Sequence, residues 1–433
     1  MSGQIAENSI LTGLSALVLR PVNSQSLQRA RLHLLDWVGC AAAGAKEPAG
    51  TILRQDMSSD VLSRAFAWGG VGNILEMDDV DKRALLHPGP SIVPPALATA
   101  FEESASMDAL LESLVRGYEA TIRLGRSVGA GHYAMFHSTG TCGAIGAAVA
   151  VGCLLRLNET QMTHAMALAM SQSAGLWHTR HDVESMGKQL HTAVAARAGA
   201  HSAKLAMQGF TGPGAILEGP QGFFEATCPD GDPQDILAVP DANWSIFDVS
   251  FKPWPACRHA HAAIDAALEV RNHLAGRIPA RIDVRTYADA LKFCDRPHPS
   301  TVIEAKFSLQ HAVAVALLRG RPKLEDFDLS TINTPDVRAV RNIVSVSTSD
   351  DYDAVYPAHF GAEVECNDVI VRVPDALGDP ENPVSDQKIQ DKANMLLQAG
   401  GTSAKSAEKI VEAVLSEGAE MDTLSVMLSE VLS

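Results

Sequence analysis

The chain has 433 residues, 46% of them hydrophobic and 20% charged, and carries a formal net charge of −16. That length suggests about two domains, and the acidic balance makes nucleic acid and anionic membrane poor partners. Aromatic residues amount to 5% whereas glycine and alanine abound, which favours closely packed helices over a β-sandwich.

The opening "MSGQIAENSILTGLSALVL" has no basic leader and already holds Glu7, so it does not read as a signal peptide. Residues 1–55 read as helical, with "SLQRARLHLLDWVGCAAAGA" spaced for one buried face. Next comes a helix around "RAFAWGG", a polar loop with the acidic run "LEMDDVDK", and a second helix through "LLHPGPSIVPPALATA". Because proline is not expected in a helix interior, that second helix is predicted to begin after a Ser91 cap. Four more helices are predicted over 107–128, 140–157, 159–175 and 188–209, with Asn158 marking a stop and restart. Residues 209–235 are rich in Gly and Pro and read as loop.

From about residue 245 the pattern changes. "SIFDVSFKPW", "RIDVRTYA", "NIVSVSTS", "AEVECN" and "VIVRVP" alternate or run β-branched, as strands do. Helices are predicted between them over 259–274 and 303–319. The tail returns to helix after a Ser385 cap, with Gly400 and Gly401 as the first stop. The expected fold is mostly α. A large all-helical domain is built from both chain ends, 1–245 and 376–433, with an inserted smaller α+β lid domain over 246–375. Seven scattered cysteines, with no C-x-x-C, point to a reducing compartment. No uncharged run reaches the roughly 18 apolar residues that a span needs. The expected location is the cytoplasm.

Four segments share one feature. His137 precedes "STGTCGAIGAAVAVG", His87 precedes "PGPSIVPP", Lys188 and His191 open "GKQLHTAVAARAGA", and Lys252 and Arg258 precede "HAHAAIDAA". A helix start carries unpaired N–H groups and about half a positive charge, so acidic residues are expected there. A cation costs roughly 0.3–1 kcal/mol at an exposed start. A bound anion would offset that cost. Any one of these side chains also fits as a satisfied histidine or a snorkelling lysine. It is the joint pattern that points to an anion site.

Glu76, Asp78, Asp79 and Asp81 fit either a solvated loop or carboxylates that orient an imidazole. Arg296, in the Pro-braced turn "CDRPHPS", fits a bidentate carboxylate clamp or an exposed loop arginine, and Glu304 and Lys306 fit an ion pair or a further arm of a pocket. The rings of His259 and His261 fall about 200° apart on a helix, unsuited to sharing a metal, so no metal site is predicted. No phosphate loop, dinucleotide fingerprint or nucleophile elbow occurs.

The segments "AFAWGGVGNILEMDDVDKRALLHPGPSIVPPALA", "FHSTGTCGAIGAA", "GKQLHTAVAARAGAHSAKLAMQGFTGPGAILEGPQGF", "FKPWPACRHAHAAIDAA" and "CDRPHPSTVIEAKFSLQHAVAVAL" together resemble the MmgE/PrpD family. That family includes 2-methylcitrate dehydratase, cis-aconitate decarboxylase and iminodisuccinate epimerase. The resemblance implies a homodimer and cofactor-free chemistry on small carboxylates. It implies a pocket lined by Asp78, Asp79, His87, His137, Lys188 and Lys252. Ser138, His191, Cys257, Arg258 and Arg296 are the further candidates for substrate binding. Three departures stand out: Val80 replaces the family's Thr after the Asp pair, Cys257 stands where decarboxylases have a His, and Phe293 replaces a Tyr. The expected reaction is α-proton abstraction with loss of water, His137 acting as base and His87 as acid, or the two exchanged, with Asp79 orienting an imidazole. The alternatives are an epimerase of a dicarboxylate and a cis-aconitate-type decarboxylase.

Overall fold

A computed structural model describes residues 9–182, 185–238, 243–274, 277, 279–418 and 420–432. Its chain divides into two compact units. The first comprises Met1–Ile74, Asp78–Val249 and Ser385–Ser433, and the second Leu75–Met77 and Ser250–Val384.

The first unit is helical, and its organising element is Ser138–Leu154. This helix packs against Pro88–Glu102, Met107–Ser127, Glu159–Met170 and Gly187–Met207. It is buried on nearly every side, which is why its sequence is a run of Gly, Ala and Val without an amphipathic stripe. Gly146 shows the requirement for small residues. A Cβ there would lie 2.5 Å from Gly117 O and would also strike the Thr121 hydroxyl. The C-terminal stretch joins the same unit, because Asp386–Ala399 packs along Ser24–Gly44. There Lys392 Nζ donates to Asp36 Oδ1 at 2.6 Å, a buried ion pair between the two ends of the chain.

The second unit holds a four-stranded mixed sheet in the order β2-β1-β3-β4. Its strands are β1 Ile282–Thr286, β2 Val344–Thr348, β3 Ala362–Cys366 and β4 Val369–Val373. β1 runs parallel to β2 and antiparallel to β3, and β3 and β4 form a hairpin. Asn367 turns that hairpin at φ 53°, a conformation asparagine tolerates better than most residues. β1 alternates buried and half-buried residues, with its apolar side chains Ile282 and Val284 inside. The helix His261–Leu274 covers β3 and β4 and packs on Leu309–Arg319.

Several local expectations are corrected. The proline-rich helix begins at Pro88 with His87 as its N-cap, and it carries Pro94 and Pro95 inside. Two ladder bonds are lost there, but the helix is buried along nearly its whole length, so packing holds it together. "SIFDVSFKPW" is not a strand. Ser245–Asp248 forms a short 3-10 turn, and Val249–Lys252 is buried throughout rather than alternating. The predicted 303–319 helix breaks into Val302–Lys306 and Leu309–Arg319. At the break, Ser308 Oγ accepts from His311 N at 3.0 Å and donates to Arg296 O at 2.6 Å, so its side chain competes with the helix ladder. The 159–175 helix stops at Met170, where Ser171 and Gln172 side chains take the Leu168 carbonyl.

Candidate active site

In the first unit the polar loop after Val71 is a buried network. Asp79 Oδ2 accepts from His33 Nδ1 at 2.8 Å and from Tyr118 OH at 2.7 Å, while Oδ1 accepts from Gly89 N at 2.9 Å. The last bond clamps the loop to the first turn of Pro88–Glu102. Asp79 therefore orients an imidazole, but it is that of His33. Burial pushes the His33 imidazole down to about 4, against the raising effect of its bond to Asp79. Burial, then the Asp79 charge, drives the Tyr118 phenol well above its ordinary value, so it stays a neutral donor.

Asp78 is the carboxylate that serves His87. Its Oδ2 lies 2.9 Å from His87 Nδ1 and accepts from Asn73 Nδ2 at 2.7 Å. His87 Nδ1 also lies 3.0 Å from the Asp79 carbonyl, and His87 N donates to Thr139 Oγ1 at 2.9 Å. Two acceptors around Nδ1 fix the proton there and leave Nε2 as the exchanging nitrogen. The Thr139 bond ties the start of Pro88–Glu102 to the start of Ser138–Leu154.

His137 caps that second helix start. Its backbone N donates to Gly175 O at 2.8 Å, and its ring lies on Trp177 with centroids 4.5 Å apart. Nδ1 lies 3.3 Å from His191 Nδ1. Nε2 and the neighbouring Ser138 Oγ are buried with no hydrogen-bond partner among the described residues. Burial first, then the charges of Lys188, His191 and His87, hold His137 well below the ordinary imidazole value, while Asp78 works weakly the other way. It is neutral at pH 7. Lys188 and His191 sit at the second and fifth positions of Gly187–Met207, both half-buried. The first unit thus brings together Asp78, His87, His137, Ser138, Lys188 and His191. Sequence reasoning missed His33, Tyr118, Thr139 and Trp177.

The second unit holds the remaining candidates. Lys252 is fully buried, with Nζ 3.8 Å from Glu76 Oε2. Arg258 forms an ion pair with Asp379 and donates to the carbonyls of Ala376 and Leu377, so most of its guanidinium is committed to holding a loop. Arg296 Nη1 lies 3.8 Å from Glu304 Oε1, and Lys306 Nζ donates to Leu75 O at 3.2 Å. Cys257 is buried beside the Cys294 thiol, and Phe293 stacks on His259 with centroids 5.0 Å apart. The His259 and His261 rings have separate partners, Tyr287 OH for His259 and the Ala256 carbonyl for His261.

Among the described residues, His359, Asp375 and Glu381 have donor atoms close enough to share a metal ion, all within 4.8 Å. His359 Nδ1 is already 2.8 Å from Asp375 Oδ1 in a half-exposed ion pair. Two open concavities of about 540 and 570 Å³ lie in the first unit. They are bordered by Asp391, Glu408 and Glu412, and by Asp108, Glu417 and Asp422, a setting that repels a carboxylate. No helix among the described residues is long and apolar enough to cross a membrane.

Residues 14–235 match the model of the MmgE/PrpD N-terminal domain, and residues 254–417 that of the MmgE/PrpD C-terminal domain. The chain is 27% identical over 380 residues to the cis-aconitate decarboxylase of Homo sapiens, covering 79% of this chain and 76% of that protein. The mouse (Mus musculus) cis-aconitate decarboxylase is 30% identical over 235 residues, 51% of this chain and 47% of the relative. That of Aspergillus terreus is 24% identical over 409 residues, 82% of each.

Proposed function

This chain belongs to the MmgE/PrpD family, and from that premise we propose that it is a lyase of small polycarboxylates. It works by moving a proton at the carbon next to a carboxylate. One observation carries the reading: His137 Nε2 and Ser138 Oγ are buried at a helix start with no hydrogen-bond partner among the described residues, beside a second imidazole already held by a carboxylate. Nδ1 of His87 is spent on Asp78 and the Asp79 carbonyl, which leaves Nε2 as the nitrogen that delivers a proton. His137, kept neutral, is the complementary base. Charge that develops next to a carboxylate needs positive potential around it. Lys188 supplies it, together with the N-terminus of Ser138–Leu154.

The first reading is decarboxylation of an unsaturated tricarboxylate of the cis-aconitate kind, the activity named for the relatives. The bond to one carboxylate breaks and carbon dioxide leaves. Its electron pair forms a new double bond, and the displaced pair moves to the carbon beside a second carboxylate. That carbon takes a proton from His87. The second reading is dehydration of a hydroxy-tricarboxylate, in which His137 removes the α-proton and His87 protonates the departing hydroxyl. It is favoured by the resemblance, which sets Cys257 in place of a decarboxylase-type His and Phe293 in place of a Tyr used by some family members. Lys252 is proposed on sequence as a further cation for the substrate. Lys252→Met should raise KM if it acts so and leave turnover untouched if its role is confined to Glu76.

The test is a panel of aconitate-like, citrate-like and amino-dicarboxylate compounds followed by NMR in deuterated water. Loss of carbon dioxide with one deuterium incorporated supports the first reading. Loss of water supports the second. Exchange without a new product marks an isomerase, and no reaction across the panel sinks the lyase.

A further inference from the structure

We infer that His191 is a positioning residue that keeps the proton of His137 on Nδ1 and leaves Nε2 as a bare lone pair. The inference rests on the reading of His137 as the proton-transferring group, and it moves His191 from the substrate-binding set to a different task. Two imidazole Nδ1 atoms 3.3 Å apart bond only if one carries the hydrogen and the other does not.

The surroundings choose between the two arrangements. If His191 donated, the His137 proton would sit on Nε2, a buried donor with no acceptor among the described residues. Orphaned buried N–H groups are rarer than under-satisfied acceptors. If His137 donates instead, the proton of His191 falls on its own Nε2, in a ring that is only half-buried and can pass that bond to water. The second arrangement leaves no buried N–H unmet.

The contact is built into the backbone. A Cβ at Gly140 would lie 3.0 Å from His191 Cβ and 2.7 Å from Ala174 O, so only glycine lets the two helices bring these rings together. A Cβ at Gly175, where φ is 144°, would lie 3.5 Å from His191 Cγ, and the Gly175 carbonyl accepts from His137 N. Glycine takes that backbone conformation at little cost. Trp177 closes the other face of the His137 ring. The imidazole therefore has one orientation and one partner, and that partner sets its tautomer, as a hydrogen bond to one ring nitrogen does in general.

The experiment is two-bond proton–nitrogen NMR on the full-length protein labelled with ¹⁵N-histidine, without substrate. His137→Gln identifies the His137 signals. In the wild type we expect His137 to show a protonated Nδ1 and an unprotonated Nε2, and His191 the reverse. His191→Phe should invert or mix the His137 pattern and lower kcat by about 10- to 100-fold, with KM nearly constant. His191→Gln, whose amide oxygen can accept the same proton, should restore both. A protonated His137 Nε2 in the wild type overturns the inference, as does a His137 pattern indifferent to His191→Phe. If His191→Phe does not fold, the wild-type and His191→Gln spectra still decide. The readout needs no turnover, so an enzyme inactive on every carboxylate would refute the proposed function while leaving this assignment to stand or fall on its own spectrum.

Discussion

The start of Ser138–Leu154 in the first unit and the Lys252–Arg258 stretch in the second read alike in sequence. Each sets ionisable cationic side chains ahead of an Ala-rich helix. Their structures differ in what those side chains do. Arg258 is locked onto Asp379 and two carbonyls, and Lys252 has Glu76 as its carboxylate. At the other helix start, His137 Nε2 and Ser138 Oγ are buried with no hydrogen-bond partner among the described residues. Arg258, with its own counter-charge and two carbonyls, holds a loop in place. At the Ser138 helix start the open atoms belong to an imidazole and a hydroxyl, groups that can exchange a proton, and they lie beside a second imidazole held by Asp78.

If this division is sound, substitutions in the two regions part ways. His137→Gln should lower kcat by about 10²- to 10⁴-fold with an unchanged melting curve. A variant that loses stability and activity together would erase the contrast. Arg258→Met should do the reverse, destabilising the protein by about 3–5 kcal/mol by stranding Asp379 in the interior. Denaturant titration reads that loss, and the double variant Arg258→Met/Asp379→Leu should regain part of it.

The pH dependence of stability sharpens the picture within the first unit. His33 has a folded value of about 4 against 6.5 for the free group. The unfolded chain therefore binds a proton that the folded one refuses. Stability should fall as pH drops from about 6.5 towards about 4, by roughly 3 kcal/mol for this group. Asp36, pushed up to about 6 by burial from an ordinary 3.8, acts in the opposite direction over its own window. His33→Gln should flatten the acid loss and Asp36→Asn should steepen it, both visible in unfolding midpoints across that range. The smallest effect belongs to the exposed Arg83–Asp248 pair, where Arg83→Ala should cost less than about 1 kcal/mol and leave activity alone.

Much of this was legible in the sequence, for reasons that can be named. His87 and His137 stood out because a cation at a helix start opposes the dipole, and both prove to be N-caps. β1 was legible from its alternation. His33 and Tyr118 were not, because each lies in the middle of a long helix, where such a residue reads as part of the packing. A signal did exist, since His33 and Asp36 share one face of Ser24–Gly44 at i, i+3 and both are buried. Nor could sequence say that adjacent Asp78 and Asp79 serve different histidines, because consecutive side chains in a loop have no fixed periodicity. The internal Pro94 and Pro95 were misread for a related reason: the rule describes a helix that must support itself, and this one is held by its surroundings.

The central claim is that His137 and His87 move a proton at a carbon beside a carboxylate. Its most direct test compares the wild type with His137→Gln and His87→Gln on the substrate found in the panel, in deuterated water. The account predicts wild-type product labelled with deuterium at that carbon and a nearly silent His87→Gln if carbon dioxide is lost, or, for dehydration, label washed into recovered substrate and both variants nearly silent. Full turnover by both variants would contradict it.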